Sequence, residues 1–135
     1  MLREEIDEKR ISEVFKRVNE GLRELANIGQ NEPVGTIKLL HVFAPHYFPL
    51  IDRKIAIAFH LLRNEQDRLT CEVYLRWMKA IRKWLINYED KIPELENAHN
   101  SLILKLIDEC LYLMSSVDQK SRVKKLGLRF EGVIG

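Results

Sequence analysis

The sequence predicts an all-α fold, a single compact domain of five to six helices around one core. Three observations carry this. Apolar residues recur at steps of three, four and seven through most of the chain, the period of a helix that buries one face. No stretch alternates apolar and polar residues as a half-buried strand does, and no solenoid-length repeat is present. The 135 residues are 46% hydrophobic and 31% charged, which suits one ordinary domain with enough apolar material for a core.

The first predicted helix runs from Leu2 to about Ile28 on Leu2, Ile6, Ile11, Val14, Phe15, Val18, Leu22 and Leu25. Gly29 and Pro33 mark its exit, since glycine takes the left-handed cap and proline cannot continue a helix. A short apolar helix follows over Val34–Phe43, then a turn bracketed by Pro45 and Pro49. The third helix, from Leu50 or Asp52 to Leu62, is apolar on almost every side and is expected to be the most buried element. A polar break at 63–67 precedes a fourth helix over about Asp67–Tyr88, with Leu69, Val73, Trp77, Ala80, Ile81, Trp84, Leu85 and Tyr88 on its apolar face. The fifth opens at Pro93, a good first-turn residue, and is expected to run unbroken to Met114. Glu94 and Glu96 sit where its dipole favours them. Residues 1–116 form the helical domain. Residues 117–135 form a basic tail with one short helix near Gln119–Leu126 and an extended end.

Composition excludes several classes. Net charge is +2, from 22 basic and 20 acidic residues, so no large uniform field grips a polyanion. The charge is clustered all the same: residues 117–135 carry +3, residues 67–92 carry +2 and residues 93–116 carry −3. No apolar run is long enough to span a membrane. The charged N-terminus resembles neither a secretion signal nor a transit peptide, and the expected location is cytoplasmic. Abundant Lys, Arg, Glu and Ile give a thermophile-like composition. Cys71 and Cys110 form no C-x-x-C pair or zinc spacing and fall on apolar stripes. They read as two buried free thiols, with an interhelical disulfide as the alternative.

Residues 33–59 carry a resemblance. Val34-Gly35, Lys38 and Leu50-Ile51-Asp52, with Ile55 and Ala58 beyond, are similar to the second half of the helix-hairpin-helix DNA glycosylase motif. The run Lys38-x-Leu40-His41, Pro45, Phe48-Pro49, Asp52 also resembles small uncharacterised helical proteins. The resemblance covers about one fifth of the chain. It departs from the family in its Lys-to-Asp separation of 14 residues, about a helical turn short, and in having Asn31-Glu32-Pro33 where the family has Leu-Pro-Gly. It implies DNA as partner, with Val34, Gly35 and Thr36 meeting phosphate at a helix N-terminus. It further implies a flipped base, Lys38 as Schiff-base nucleophile and Asp52 as the carboxylate that stabilises the developing positive sugar. The residues alone also read more simply, Asp52 as an N-cap before an apolar helix and Lys38 as a surface residue.

Other constellations add to this. Arg76, Lys79 and Lys83 share one face of the fourth helix beside aromatic residues, a pattern that suits phosphate attraction and base stacking. Lys124 and Lys125 extend the basic set into the tail. Alternatively Trp77 and Trp84 are core or interface anchors and the charges a solvated face. His41, His46 and Asp52 are a poor metal set across a proline turn, and His41 reads as packing beside that turn. His60 and His99 read as partly buried helix residues. No phosphate loop, nucleophile elbow or Walker lysine is present, and no cofactor is expected. The leading expectation is a small nucleic-acid-binding protein with a degenerate glycosylase-like hairpin. The alternatives are a non-enzymatic interaction protein or homo-oligomer joined through a helix face, and an active glycosylase or lyase.

Overall fold

The computed structural model describes residues 5–26 and 33–114. Six α-helices follow in chain order: α1 (Glu8–Ala26), α2 (Pro33–Phe43), α3 (Arg53–Ala58), α4 (Cys71–Ile86), α5 (Ile92–His99) and α6 (Ile103–Met114). One 3-10 turn, Glu89–Lys91, joins α4 to α5, and no strand occurs among the described residues. The fold is all-α. The expected basic tail, its short helix and Lys124 and Lys125 lie outside the described residues.

α4 is the axis of the core. Its inward face places Tyr74, Trp77, Met78, Ala80, Ile81 and Leu85 out of solvent. Phe15 from α1 meets the Tyr74 ring at 5.9 Å, and Phe59 beyond α3 meets Trp77 at 5.3 Å, both tilted as aromatic pairs prefer. α2 adds Ile37 and Leu40, and α6 adds Leu104 and Leu111. α3 was expected to be the most buried element. Three of its six residues are buried, but the largest fully buried side chains, Trp77 and Tyr74, belong to α4.

Two buried hydrogen bonds fix the proline turn on α4. The Tyr74 hydroxyl donates to the Pro49 carbonyl at 2.7 Å, and Trp77 Nε1 donates to the Leu50 carbonyl at 3.1 Å. Turn carbonyls that would otherwise be buried without partners are thereby satisfied. His41 Nδ1 lies 2.7 Å from the Phe48 carbonyl, tying α2 to the far side of the turn, as its sequence position suggests. Asp52 then caps α3: its backbone is extended and its carboxylate accepts from the Ile55 N–H at 2.7 Å.

Three helix boundaries correct the sequence reading. The third helix ends at Ala58 rather than Leu62. His60 takes the left-handed conformation (φ 62°), the His60 N–H donates to the Ile57 carbonyl and the Leu61 N–H to the Ala56 carbonyl. This is the paired closure usually built on glycine. The next helix begins at Cys71 rather than Asp67, because Thr70 is its cap and accepts from the Val73 N–H. Residues 63–67 are instead a turn held by its own side chains. Asp67 accepts from the Arg63 backbone and guanidinium, Asn64 accepts from the Gln66 and Asp67 N–H groups, and Arg53 donates to the Glu65 and Asp67 carbonyls.

The third correction is the largest. The long helix expected over 93–114 is two helices. Asn100 is left-handed (φ 48°) and ends α5, and the Glu96 carboxylate reaches over the break to accept from the Ile103 N–H at 2.8 Å. Asparagine tolerates this conformation better than most residues with a side chain, which makes Asn100 a workable stop. The break makes α5 and α6 separate helices, and a groove lies between them and α4.

Candidate functional site

The glycosylase-like residues are placed as follows. Val34 and Gly35 occupy the first turn of α2 and are half-buried. Thr36 is fully buried, 0% exposed, so its hydroxyl is not presented to a phosphate. Lys38 is exposed on the same helix, and no hydrogen bond or ion pair joins it to Asp52. One oxygen of the Asp52 carboxylate is occupied by its capping bond.

Asp52 does have company. Asp108 on α6 is half-buried, and its carboxyl is pushed above the usual aspartate range. Burial is the main cause; Lys105 opposes it, Asp52 adds to it, His41 opposes it and Glu109 adds to it. Two carboxylates and an imidazole from α2, α6 and the α3 cap thus feel one another. No group of three or more His, Cys, Asp or Glu side chains placed to hold a metal ion occurs among the described residues.

On α4, Arg76, Lys79 and Lys83 are all exposed. Lys79 pairs with Glu8 of α1, an exposed contact of small energetic weight. Arg82 lies over the Tyr47 ring at 4.6 Å from its centre. The two tryptophans divide: Trp77 is core, whereas Trp84 is half-buried and stacks obliquely on Tyr88 at 5.2 Å.

Both cysteines are free, which removes the disulfide alternative. The expectation of two buried thiols holds for neither. Cys71 is half-buried, its thiol 3.8 Å from the Ser12 hydroxyl, and burial raises its pKa against that hydrogen bond. Cys110 is exposed because α6, once separated from α5, turns that side to the groove. His60 and His99 are exposed rather than partly buried, since His60 sits at the closure of α3 and His99 at the end of α5.

A concave feature with apolar walls lies between α4, α5 and α6, a groove of about 620 Å³. Trp84, Tyr88, Leu95, Leu106, Cys110 and Leu113 line it, with Lys91, His99 and Glu109 among the few charged or polar side chains. α5 has no buried residue at all, although it presents Leu95 and Ile92 to this space. Leu113 is 71% exposed and Tyr88 44%. A smaller cavity of about 270 Å³ shares Ile81, Leu85, Ile92 and Ile103 and is edged by Arg82, Glu89 and Glu96. The charged side chains on these walls are of both signs: Lys91 and Glu109 line the groove and Arg82, Glu89 and Glu96 edge the smaller cavity, while the stretch 89–113 as a whole holds six acidic and two basic side chains, a net −4.

The sequence signals part of this site. Leu102, Ile103, Leu106, Cys110 and Leu113 read as a candidate dimer face, and Trp84 as an anchor. Leu95, His99 and Tyr88 are missed, because their place in a groove depends on the break at Asn100. No protein-family model, curated protein or solved structure matches this chain.

Proposed function

We propose that this protein is a non-enzymatic helical interaction module that takes a basic, amphipathic segment into the α4–α5–α6 groove. The observation that carries this is α5. A helix with no buried residue, facing a groove of about 620 Å³ walled by Trp84, Tyr88, Leu106 and Leu113, leaves apolar surface without a complement. The groove's mostly apolar lining comes from α4, α5 and α6, the kind of surface that receives the apolar face of an amphipathic helix. The stretch 89–113, which supplies α5 and most of α6, carries a net −4 and favours a basic partner.

The test is a titration of a fluorescent basic amphipathic peptide, read by anisotropy. Saturable binding to the chain, lost in Leu113→Glu and kept in Leu25→Glu, supports the reading. Leu25 is 87% exposed and lies off the groove, so it controls for general surface hydrophobicity. Binding indifferent to Leu113→Glu, or absent, overturns it.

The second reading is nucleic-acid binding, favoured by the exposed row Arg76, Lys79 and Lys83 and by exposed Lys38. Its test is anisotropy with duplex, abasic-site duplex and single-stranded oligonucleotides at low and moderate salt. Binding that weakens steeply with salt and falls in Arg76→Glu and Lys83→Glu supports it. Absence of binding at low salt removes it.

A further inference from the structure

The groove is bounded by α6, the last described helix of the chain. α6 forms one of its walls, and α6 is followed by 21 further residues, 115–135. That length reaches about 70 Å fully extended. α6 is about 18 Å long, so the segment can return along the whole wall. Its composition complements the groove twice over. It carries Val123, Leu126, Leu128, Phe130, Val133 and Ile134 for apolar walls. It carries five basic residues against two acidic from 117 onward, a net +3, opposite in sign to the −4 of residues 89–113.

We infer that residues 117–135 are the groove's own occupant, docked in cis and displaced when a basic amphipathic segment binds in trans. This rests on the groove being a docking surface and adds its regulation. A tether of this length holds the segment at roughly millimolar effective concentration, so contacts too weak to join two molecules suffice within one. Leu126, Leu128 and Phe130 supply the apolar anchors. Lys120, Arg122, Lys124 and Lys125 supply the charge that Glu109 on the groove wall and Glu89 and Glu96 beside it answer. A trans partner competes with this segment, and its apparent affinity is reduced by the factor to which the docked form is favoured.

Cys110 supplies the reporter, because it is exposed and lines the groove among the described residues. In the full chain carrying Cys71→Ser, Cys110 is the only thiol. The experiment compares this chain with one also carrying Leu126→Glu and Phe130→Glu, with helix content checked by circular dichroism. Two quantities are read: the rate of Cys110 labelling by a disulfide reagent, and the affinity for a fluorescent peptide of sequence 115–135. The expected result is labelling faster by about tenfold or more in the substituted chain. Peptide affinity rises by the same factor, because both report the docked fraction. Labelling rates should not change on dilution of the protein. A rate that rises on dilution means exchange between two copies and overturns docking in cis. Equal labelling and equal peptide affinity in the two chains overturn the inference and leave the groove as a docking surface. Failure of both chains to bind either this peptide or the amphipathic probe overturns the groove and the inference together.

Discussion

Replacing Tyr74 with Phe removes one oxygen from the centre of the protein and nothing else. Its ring is 0% exposed and packs on Phe15, so the hydrophobic contacts survive the change. What goes is the 2.7 Å hydrogen bond to the Pro49 carbonyl, and that carbonyl is left in a buried site without its partner. A neutral hydrogen bond contributes about 1 kcal/mol net, and an unsatisfied buried acceptor costs about 1–3 kcal/mol. The expected loss is about 1–2 kcal/mol, the retained Trp77 bond to the neighbouring Leu50 carbonyl limiting movement of the turn. For a chain of this size that lowers Tm by about 4–8 °C. Urea unfolding should show a lower midpoint at an unchanged slope. Tyr88→Phe is the control; its ring stacks on Trp84 at the surface, and its loss should be within about 0.5 kcal/mol.

The same substitution has a pH signature. Burial, reinforced by Cys71, pushes the Tyr74 phenol far above its ordinary value, so the native state keeps its proton in alkali. Below about pH 10 both folded and unfolded chains hold that proton and the contribution is complete. Above it the unfolded chain releases the proton while the native one does not, and stability falls as pH rises. Tyr74→Phe should lose that part of the alkaline decline. Tyr74→Phe equal to wild type in urea at neutral pH would refute the role given to the hydroxyl.

Asp52→Ala should lower stability by about 1 kcal/mol through loss of the α3 cap, read by urea unfolding, with Asp52→Asn or Asp52→Ser recovering most of it. Asp108→Asn should raise Tm at neutral pH, because burial and Asp52 oppose the charged carboxylate. The sign follows from its raised pKa: the native state holds the proton to higher pH, so wild type loses stability as pH rises from about 3.8 through the folded value. The gain in Asp108→Asn should therefore vanish below about pH 4, as thermal melts at acid and neutral pH will show. Asn100→Val should cost about 1–2 kcal/mol by forcing a β-branched residue into the left-handed region, whereas Asn100→Gly should be neutral or better.

Legibility in the sequence follows the range of the interaction that decides each feature. Ile11, Phe15, Trp77, Ala80, Ile81 and Leu85 are buried as their helical period indicates, because a repeated apolar face has one low-energy place to go. Asp52 could be recognised as a cap from its neighbours, since capping is settled within three residues. Boundaries set by unusual backbone were not legible. His60 and Asn100 adopt left-handed conformations without a glycine to announce them, and each is held there by bonds to groups three to five residues away.

The sequence by itself determined that the described residues are mostly helical, that α1 and α4 turn one face to the core, and that the charge is concentrated in separate stretches. Periodicity and composition are local, and so are the forces that read them. Only the tertiary structure decided that Trp77 is core while Trp84 opens on a groove, although the two lie on one helix seven residues apart. It also decided that Thr36 is buried close to exposed Lys38, that Asp108 is half-buried within the electrostatic reach of Asp52, and that Cys110 lines a surface rather than the interior. Each of these depends on where a second helix lies, and that position is set by the packing of all six together.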